Sequence, residues 1–253
     1  LALTAGIESA SFEYLLFTDA DCYPASENWI RGMVSNFSDS RQIVLGYGAY
    51  SDKNTLLSNF IRFDAYLIGV HYFYAAIIGK PYMGVGRNIA YTKKLWKKEN
   101  GFAKYLDIAS GDDDLFVYSI ANAKNTVVCL DENSFTISVP AKTLRQFIRQ
   151  KARHISTSGY YSLFFKFFTS IELISRSIFF ISIILLLIFR CWALAFILFA
   201  FRLFCIYFFG KYSRKIFKSK IRFYYFILFD IFAPIFYLTV LVSNKLIYSN
   251  KEW

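Results

Sequence analysis

Asp19-Ala20-Asp21, Gly111-Asp112-Asp113-Asp114 and Gln150-Lys151-Ala152-Arg153-His154 are the stretches of this chain whose side chains are fitted for chemistry. Asp19 and Asp21 follow the apolar run Tyr14-Leu15-Leu16-Phe17-Thr18, and carboxylates at i and i+2 beyond a strand can face one cation together. Oxygen donors favour a hard ion, Mg2+ or Mn2+, which commonly takes phosphate oxygens beside one or two carboxylates. Asp112, Asp113 and Asp114 stand where a loop enters a helix, and capping together with the helix dipole accounts for one or two of them. Three crowded carboxylates raise at least one pKa, which suits a group that takes a proton from a hydroxyl. Gln150 and Arg153, three apart on a helix, share a face on which an amide and a guanidinium can converge on a diphosphate. A fourth stretch, Tyr82 to Tyr91, carries Gly84 and Gly86, where backbone can approach a ligand, and Arg87 and Asn88, which can hydrogen-bond a sugar or phosphate.

The elements that must position these groups follow from hydrophobic pattern. The run 14–18 reads as a buried strand ending at Asp19, and open α/β sheets bind ligands beyond the carboxyl ends of their strands. Residues 1–10 read as a short amphipathic helix, with Leu3, Ile7 and Ala10 on one face; Asn28 to Phe37 reads as another, with Trp29, Ile30, Met33 and Phe37 inward. Gln42 to Tyr47 and Val127 to Leu130 read as strands, and Asn54 to Ile78 as a long aromatic helix stopped by Gly79-Lys80-Pro81. Lys142 to His154 is a basic helix with Lys142, Arg145, Arg149, Lys151 and Arg153. Plainer uses stand beside the chemical ones: aspartates mark turns, glycines serve strand turns, and a basic helix suits an anionic lipid surface.

Charge divides the chain in two. Residues 1–160 carry a net charge of +2 and residues 161–253 a net of +9, within a total of +11. The positive charge sits beside apolar segments, so it is read as a membrane topology signal and not as a nucleic-acid surface. Ile171 to Phe189, Cys191 to Phe209 and Phe223 to Val242 are each long enough to cross a hydrocarbon core, which gives three expected transmembrane helices. Glu172, Arg176, Arg202 and Asp230 fall within or at the ends of these stretches and are expected to face protein or to snorkel. The loop from Gly210 to Arg222, with six Lys and Arg residues, belongs on the cytoplasmic side. Cys22, Cys129, Cys191 and Cys205 have neither zinc-ligand spacing nor disulfide density, and are expected to be small buried hydrophobes in a reducing compartment.

The order of these motifs resembles the membrane-bound family 2 glycosyltransferases of the GT-A fold, similar to cellulose, chitin and hyaluronan synthases. Members of that family carry D-x-D, a Gly-rich acceptor stretch with Arg, E-D or G-D-D, Q-x-x-R-W and then transmembrane helices. The resemblance implies an α/β fold: residues 1–160 as the C-terminal two-thirds of a Rossmann-like GT-A catalytic domain, and 161–253 as the transmembrane region. It implies that Asp19 and Asp21 hold the metal and the donor diphosphate, with Gln150 and Arg153 on the same diphosphate. Gly84, Gly86, Arg87, Asn88 and His154 fall on the acceptor side. The family base is an Asp three residues before an apolar position; Leu115 makes that Asp112, with Asp113 next. Two positions depart from the pattern, since Gly111 replaces the usual Glu and His154 stands where the family has the Trp that stacks on a bound sugar.

The resemblance further implies that the strands holding the nucleotide base precede residue 1, so the chain is expected to be a fragment of a longer protein, inactive in isolation. The expected activity is an inverting, metal-dependent hexosyltransferase type of transfer. It runs from a nucleotide-sugar donor to a hydroxyl of a polysaccharide or lipid-linked glycan. The expected place is an integral inner or plasma membrane, among membrane lipids, with the catalytic domain cytoplasmic and a role in polysaccharide biosynthesis. Two other readings use the same residues: an integral membrane metal-dependent phosphotransferase or nucleotidyltransferase, and a non-catalytic membrane scaffold whose carboxylates are turns and caps.

Overall fold

A computed structural model describes residues 2–105, 114–219 and 221–248 of the chain. Two compact units emerge: Leu1–Lys53 with Asp64–Ala141, and Asn54–Phe63 with Lys142–Glu252.

The first unit is mixed α/β. Its larger sheet has the order β1-β5-β3-β6, from Tyr14–Phe17 (β1), Ile89–Thr92 (β5), Ile43–Leu45 (β3) and Thr126–Val128 (β6). β5 runs antiparallel to both β1 and β3, and β3 runs parallel to β6. Strands β3 and β5 are buried at every position, as their unbroken Ile-Val-Leu and Ile-Ala-Tyr-Thr runs require of strands covered on both faces. Met33 of α2 (Trp29–Val34) packs with Val44, Ala90 and Cys129, and Leu16, Trp29, Phe37 and Val127 close around them. Elsewhere in the core Phe116 of α5 (Asp114–Ile120) lies against Tyr91 and Phe102. A smaller sheet has the order β2-β7-β4, from Cys22–Pro24 (β2), Thr136–Ser138 (β7) and Gly48–Tyr50 (β4). The short helices α1 (Ala2–Ser9) and α4 (Lys93–Lys98) complete this unit, with Ile7, Leu95 and Trp96 buried.

Helix α3 (Leu56–Ile77) begins in the second unit and continues into the first. Within the second unit, α6 (Leu144–Ser156) starts at a capping box: Thr143 Oγ1 accepts from the Gln146 amide, and Gln146 Oε1 accepts from the Thr143 amide. Three long apolar helices follow among the described residues: α7 (Leu163–Ile188), α8 (Trp192–Ile216) and α9 (Phe223–Tyr248), each long and apolar enough to cross a membrane. Both α7 and α8 extend past the expected bounds, because the helices run on through Lys166 at one end and Lys211 at the other. The tight connection between them is a Schellman-type turn: Arg190 sits at φ 59°, the Cys191 amide donates to Leu186 O, and the Arg190 amide donates to Leu187 O. Glu172, Arg176, Arg202 and Asp230 of these helices are paired. Asp230 of α9 accepts two hydrogen bonds from Arg202 of α8, at 2.7 and 2.9 Å, and lies 3.2 Å from Arg176 of α7, which also pairs with Glu172. Arg176 and Asp230 are only 7% and 6% exposed.

Candidate active site

The Asp-x-Asp pair is brought together by a turn, not by strand alternation. Strand β1 ends at Phe17, two residues short of the expected end at Asp19, and the Cys22 amide donates to Asp19 O at 3.0 Å to close the turn that opens β2. The turn gathers one ligand atom each from Asp19, Asp21 and Cys22 within 4.8 Å of one another, the two carboxylates exposed and the thiol half-buried. Two oxygens with a neighbouring sulfur fit a divalent cation of the Mg2+ or Mn2+ kind, the carboxylates being the hard donors such an ion prefers.

Cys22 departs from the expectation of four buried hydrophobes. In the β2–β7 register it faces Ser138, and its Sγ lies 2.9 Å from Ser138 Oγ and 3.6 Å from Asp21 Oδ1. Burial pushes the thiol pKa up, and the Asp21 and Asp19 charges push it further, against the pull of the Ser138 and Thr18 hydroxyls. Cys191, in the turn before α8, and Cys205, on α8, are exposed, and Cys129 alone among the four is buried.

The glycine-rich stretch meets this turn from the side. Thr18 Oγ1 donates to the Arg87 carbonyl at 3.0 Å, and Thr136 Oγ1 of β7 donates to the same carbonyl at 2.7 Å. The Arg87 guanidinium lies 4.4 Å from the Tyr50 ring centroid and donates to Ala49 O at 3.4 Å. Burial opposes the Arg87 charge, but Tyr50, Tyr72, Tyr47 and Cys22 around it more than offset this, so its pKa is held up. A Cβ at Gly48 would stand 2.9 Å from the Arg87 Cβ, so the bare backbone there is what lets the arginine lie across β4.

Asn88 and Gly84 are turned towards protein. Asn88 is 0% exposed; its Nδ2 donates to Tyr47 O and Ser134 O, and its Oδ1 accepts from Trp29 Nε1. A Cβ on Gly46 would fall 2.5 Å from this amide. Gly84 is buried, and a Cβ there would stand 2.6 Å from Ile89 Cδ1 and 3.2 Å from Val117 Cγ2. Both residues, expected on the acceptor side, act here as packing and bracketing parts that set Arg87 and Gly86 in place. Tyr82 is buried, and its phenol pKa is pushed up by burial and by the nearby Asp114 charge, which brings the first residue of the glycine-rich stretch and the last of the three aspartates to one place. Asp112 and Asp113, the expected base and its neighbour, lie outside the described residues.

Gln150 and Arg153 belong to the second unit, one turn apart on α6, with Arg153 and His154 exposed and Gln150 half-buried. Residues that sequence reasoning missed are Cys22, Thr18, Thr136 and Ser138. Cys22 and Thr18, adjoining the Asp-x-Asp on either side, carried a signal in their position; the Thr136 and Ser138 hydroxyls reach the site through pairing of β7 with β2.

Residues 14–242 match the family model described as glycosyl transferase family group 2. No curated protein is similar enough to the chain to match. The match takes in the Asp-x-Asp turn, the glycine-rich stretch, the three aspartates, α6 and most of the apolar helices, and this chain belongs to family 2 of the glycosyltransferases, enzymes that move a sugar from a nucleotide-sugar donor to an acceptor.

Proposed function

We propose that the chain catalyses inverting, metal-dependent sugar transfer from a nucleoside diphosphate sugar to a hydroxyl of a glycan or lipid-linked acceptor, at the cytoplasmic face of a membrane. The observation that carries this reading is the exposed Asp19–Asp21 pair beside Cys22, held at a turn that Thr18 ties to Arg87. Asp19 and Asp21 would hold a divalent cation, which would supply positive charge against the leaving diphosphate, and through that cation the two carboxylates would orient the diphosphate end of the donor. Gln150 and Arg153 on α6 add an amide and a guanidinium to that end, where charge develops as the bond to the sugar breaks. Asp112 takes the proton of the acceptor hydroxyl, with Asp113 as the nearest alternative, and the oxygen attacks the anomeric carbon from the face opposite the departing nucleoside diphosphate. The leaving group departs with the bonding electron pair, the anomeric configuration inverts, and no covalent enzyme intermediate forms. Gly86, Arg87 and His154 are assigned to acceptor binding, and the buried Gly84 and Asn88 support Gly86 and Arg87.

The six basic residues from Lys211 to Arg222, in the last turns of α8 and in the segment that leads to α9, support the cytoplasmic assignment. In membranes containing the whole enzyme, Asp112→Asn should abolish transfer while leaving donor binding intact, and Asp19→Ala should weaken Mn2+-dependent donor binding. Turnover by Asp112→Asn would remove Asp112 from the base role. A phosphorylated product without a glycosidic bond would instead point to the phosphotransferase reading.

A further inference from the structure

Arg87 is built into the α/β unit as a charge without a counter-charge. Its backbone is pinned, since the Arg87 carbonyl accepts from both Thr18 Oγ1 and Thr136 Oγ1. Its side chain lies over the Tyr50 ring, 4.4 Å from the centroid, and spends one N–H on Ala49 O at the long distance of 3.4 Å. A guanidinium presents five N–H donors in a flat fork, so most of the fork is unspent. The groups whose charges act on it are Tyr50, Tyr72, Tyr47 and Cys22. Phenols and thiols gain charge only at alkaline pH, so at neutral pH these neighbours do not balance the guanidinium. Among the described residues no carboxylate pairs with it.

Holding a half-buried cation in this way is costly unless a ligand completes it. The backbone is nevertheless shaped to hold it: a Cβ on Gly48 would stand 2.9 Å from the Arg87 Cβ and 3.3 Å from its Cζ and Nε, so only a bare strand lets the fork lie flat on β4. Its place in the sheet narrows the ligand. Cys22, Ser138 and Tyr50 are partners in one row across β2, β7 and β4, and partners in a row share a sheet face. At about 4.8 Å per strand, Tyr50 and the guanidinium above it stand about 10 Å from Cys22 and the Asp-x-Asp turn. One face therefore carries the carboxylates of a cation site at one end and an unspent guanidinium at the other. A phosphate suits that fork better than a neutral hydroxyl, because it accepts two parallel, charge-assisted hydrogen bonds.

We propose that Arg87 is a phosphate-binding residue, whose unspent edge takes a phosphate oxyanion of a substrate on the sheet face that carries the Asp19–Asp21 turn. The phosphate has two possible sources, the diphosphate of the donor or the phosphate of a lipid-linked acceptor, and the fork meets the same chemistry in both. Arg87 makes and breaks no bond; it supplies the charge that the fold itself leaves unbalanced. The proposal deepens the sugar-transfer reading and rests on it for the identity of the substrates.

Thermal unfolding of the whole enzyme in detergent tests it. In EDTA, so that no cation holds the probe, inorganic phosphate should raise the unfolding temperature of the unsubstituted protein with increasing concentration. Arg87→Met should remove that rise, and Gly48→Ala, which crowds the fork without changing its charge, should diminish it. With Mn2+ present, the affinity for UDP and GDP identifies the source. Weakening of about tenfold or more in Arg87→Met assigns the donor's diphosphate; unchanged nucleotide affinity beside a lost phosphate response assigns the acceptor's. Without ligand, Arg87→Met should unfold no lower than the unsubstituted protein, because it is relieved of an unbalanced charge. A phosphate rise equal in both proteins is a general salt effect and would overturn the proposal. Clearly lower unfolding of ligand-free Arg87→Met would overturn it too, by making Arg87 a structural cation. The EDTA measurement involves neither cation nor sugar transfer, so its failure is distinct from failure of the transferase reading, which shows as silence across nucleotide sugars.

Discussion

The side chains that bear chemistry and those that hold them were not equally visible. Asp19 and Asp21 were legible because residue type and spacing alone suggest a cation, whatever backbone presents them. Asn88 was not: its type fits a sugar as well as a core, and its partners Trp29, Tyr47 and Ser134 come from distant parts of the chain. Asn88→Leu should therefore act through stability before chemistry. It leaves an indole N–H and two carbonyls without their partner and should cost about 2–4 kcal/mol, measured by thermal unfolding in detergent. Undiminished stability would show that those groups find other partners. Two buried phenols set a limit at high pH. Tyr72, whose hydroxyl donates to Gly46 O at 2.7 Å, and Tyr82 both have pKa values raised by burial above the usual tyrosine value. Their neutral forms are favoured in the folded state, so the stabilisation is complete below pH about 10 and is lost as pH rises beyond it. Tyr72→Phe should flatten the alkaline end of the stability profile while lowering stability at neutral pH by roughly 1–3 kcal/mol; an unchanged alkaline limb would clear Tyr72 of that role.

At the scale of elements, long periodic patterns were legible and short strands were not. The helices α2, α3, α6 and the three apolar helices follow apolar spacing, and β1, β3 and β6 follow compact apolar runs. Strands β2, β4 and β7 have three residues each and no alternation to read, and they exist because their partners do. β5 was hidden inside the stretch read as glycine-rich, although its Ile-Ala-Tyr-Thr run forms the middle of the larger sheet. The hairpin between α7 and α8 is tight, and the left-handed conformation of Arg190 is what makes it possible. A glycine adopts it without the Cβ conflict, so Arg190→Gly should raise stability by about 0.5–1 kcal/mol, read from thermal unfolding. A loss would show that the Arg190 side chain contributes more than its backbone costs.

Across the whole molecule, the charges of the apolar helices and the site on the α/β unit answer to different pressures. Asp230 serves two arginines in apolar surroundings, and Asp230→Asn should destabilise the protein by roughly 3–5 kcal/mol by taking the carboxylate from Arg202 and leaving Arg176 with Glu172 alone, seen as loss of folded protein in membranes. The same change at an exposed pair would be nearly silent. The family was legible in the sequence because the order of its motifs survives separation along the chain. The turn that gathers Asp19, Asp21 and Cys22 was not, since it depends on β2 pairing with a strand more than a hundred residues away. The central claim is that this site transfers sugar with the help of a divalent cation. The most direct measurement is nucleoside diphosphate release by the whole enzyme in membranes, across a panel of nucleotide sugars, with and without Mn2+ or Mg2+. Release from one donor that requires the cation and vanishes in Asp19→Ala is the expected result; release indifferent to both, or silence across the panel with no nucleotide bound, would contradict the account.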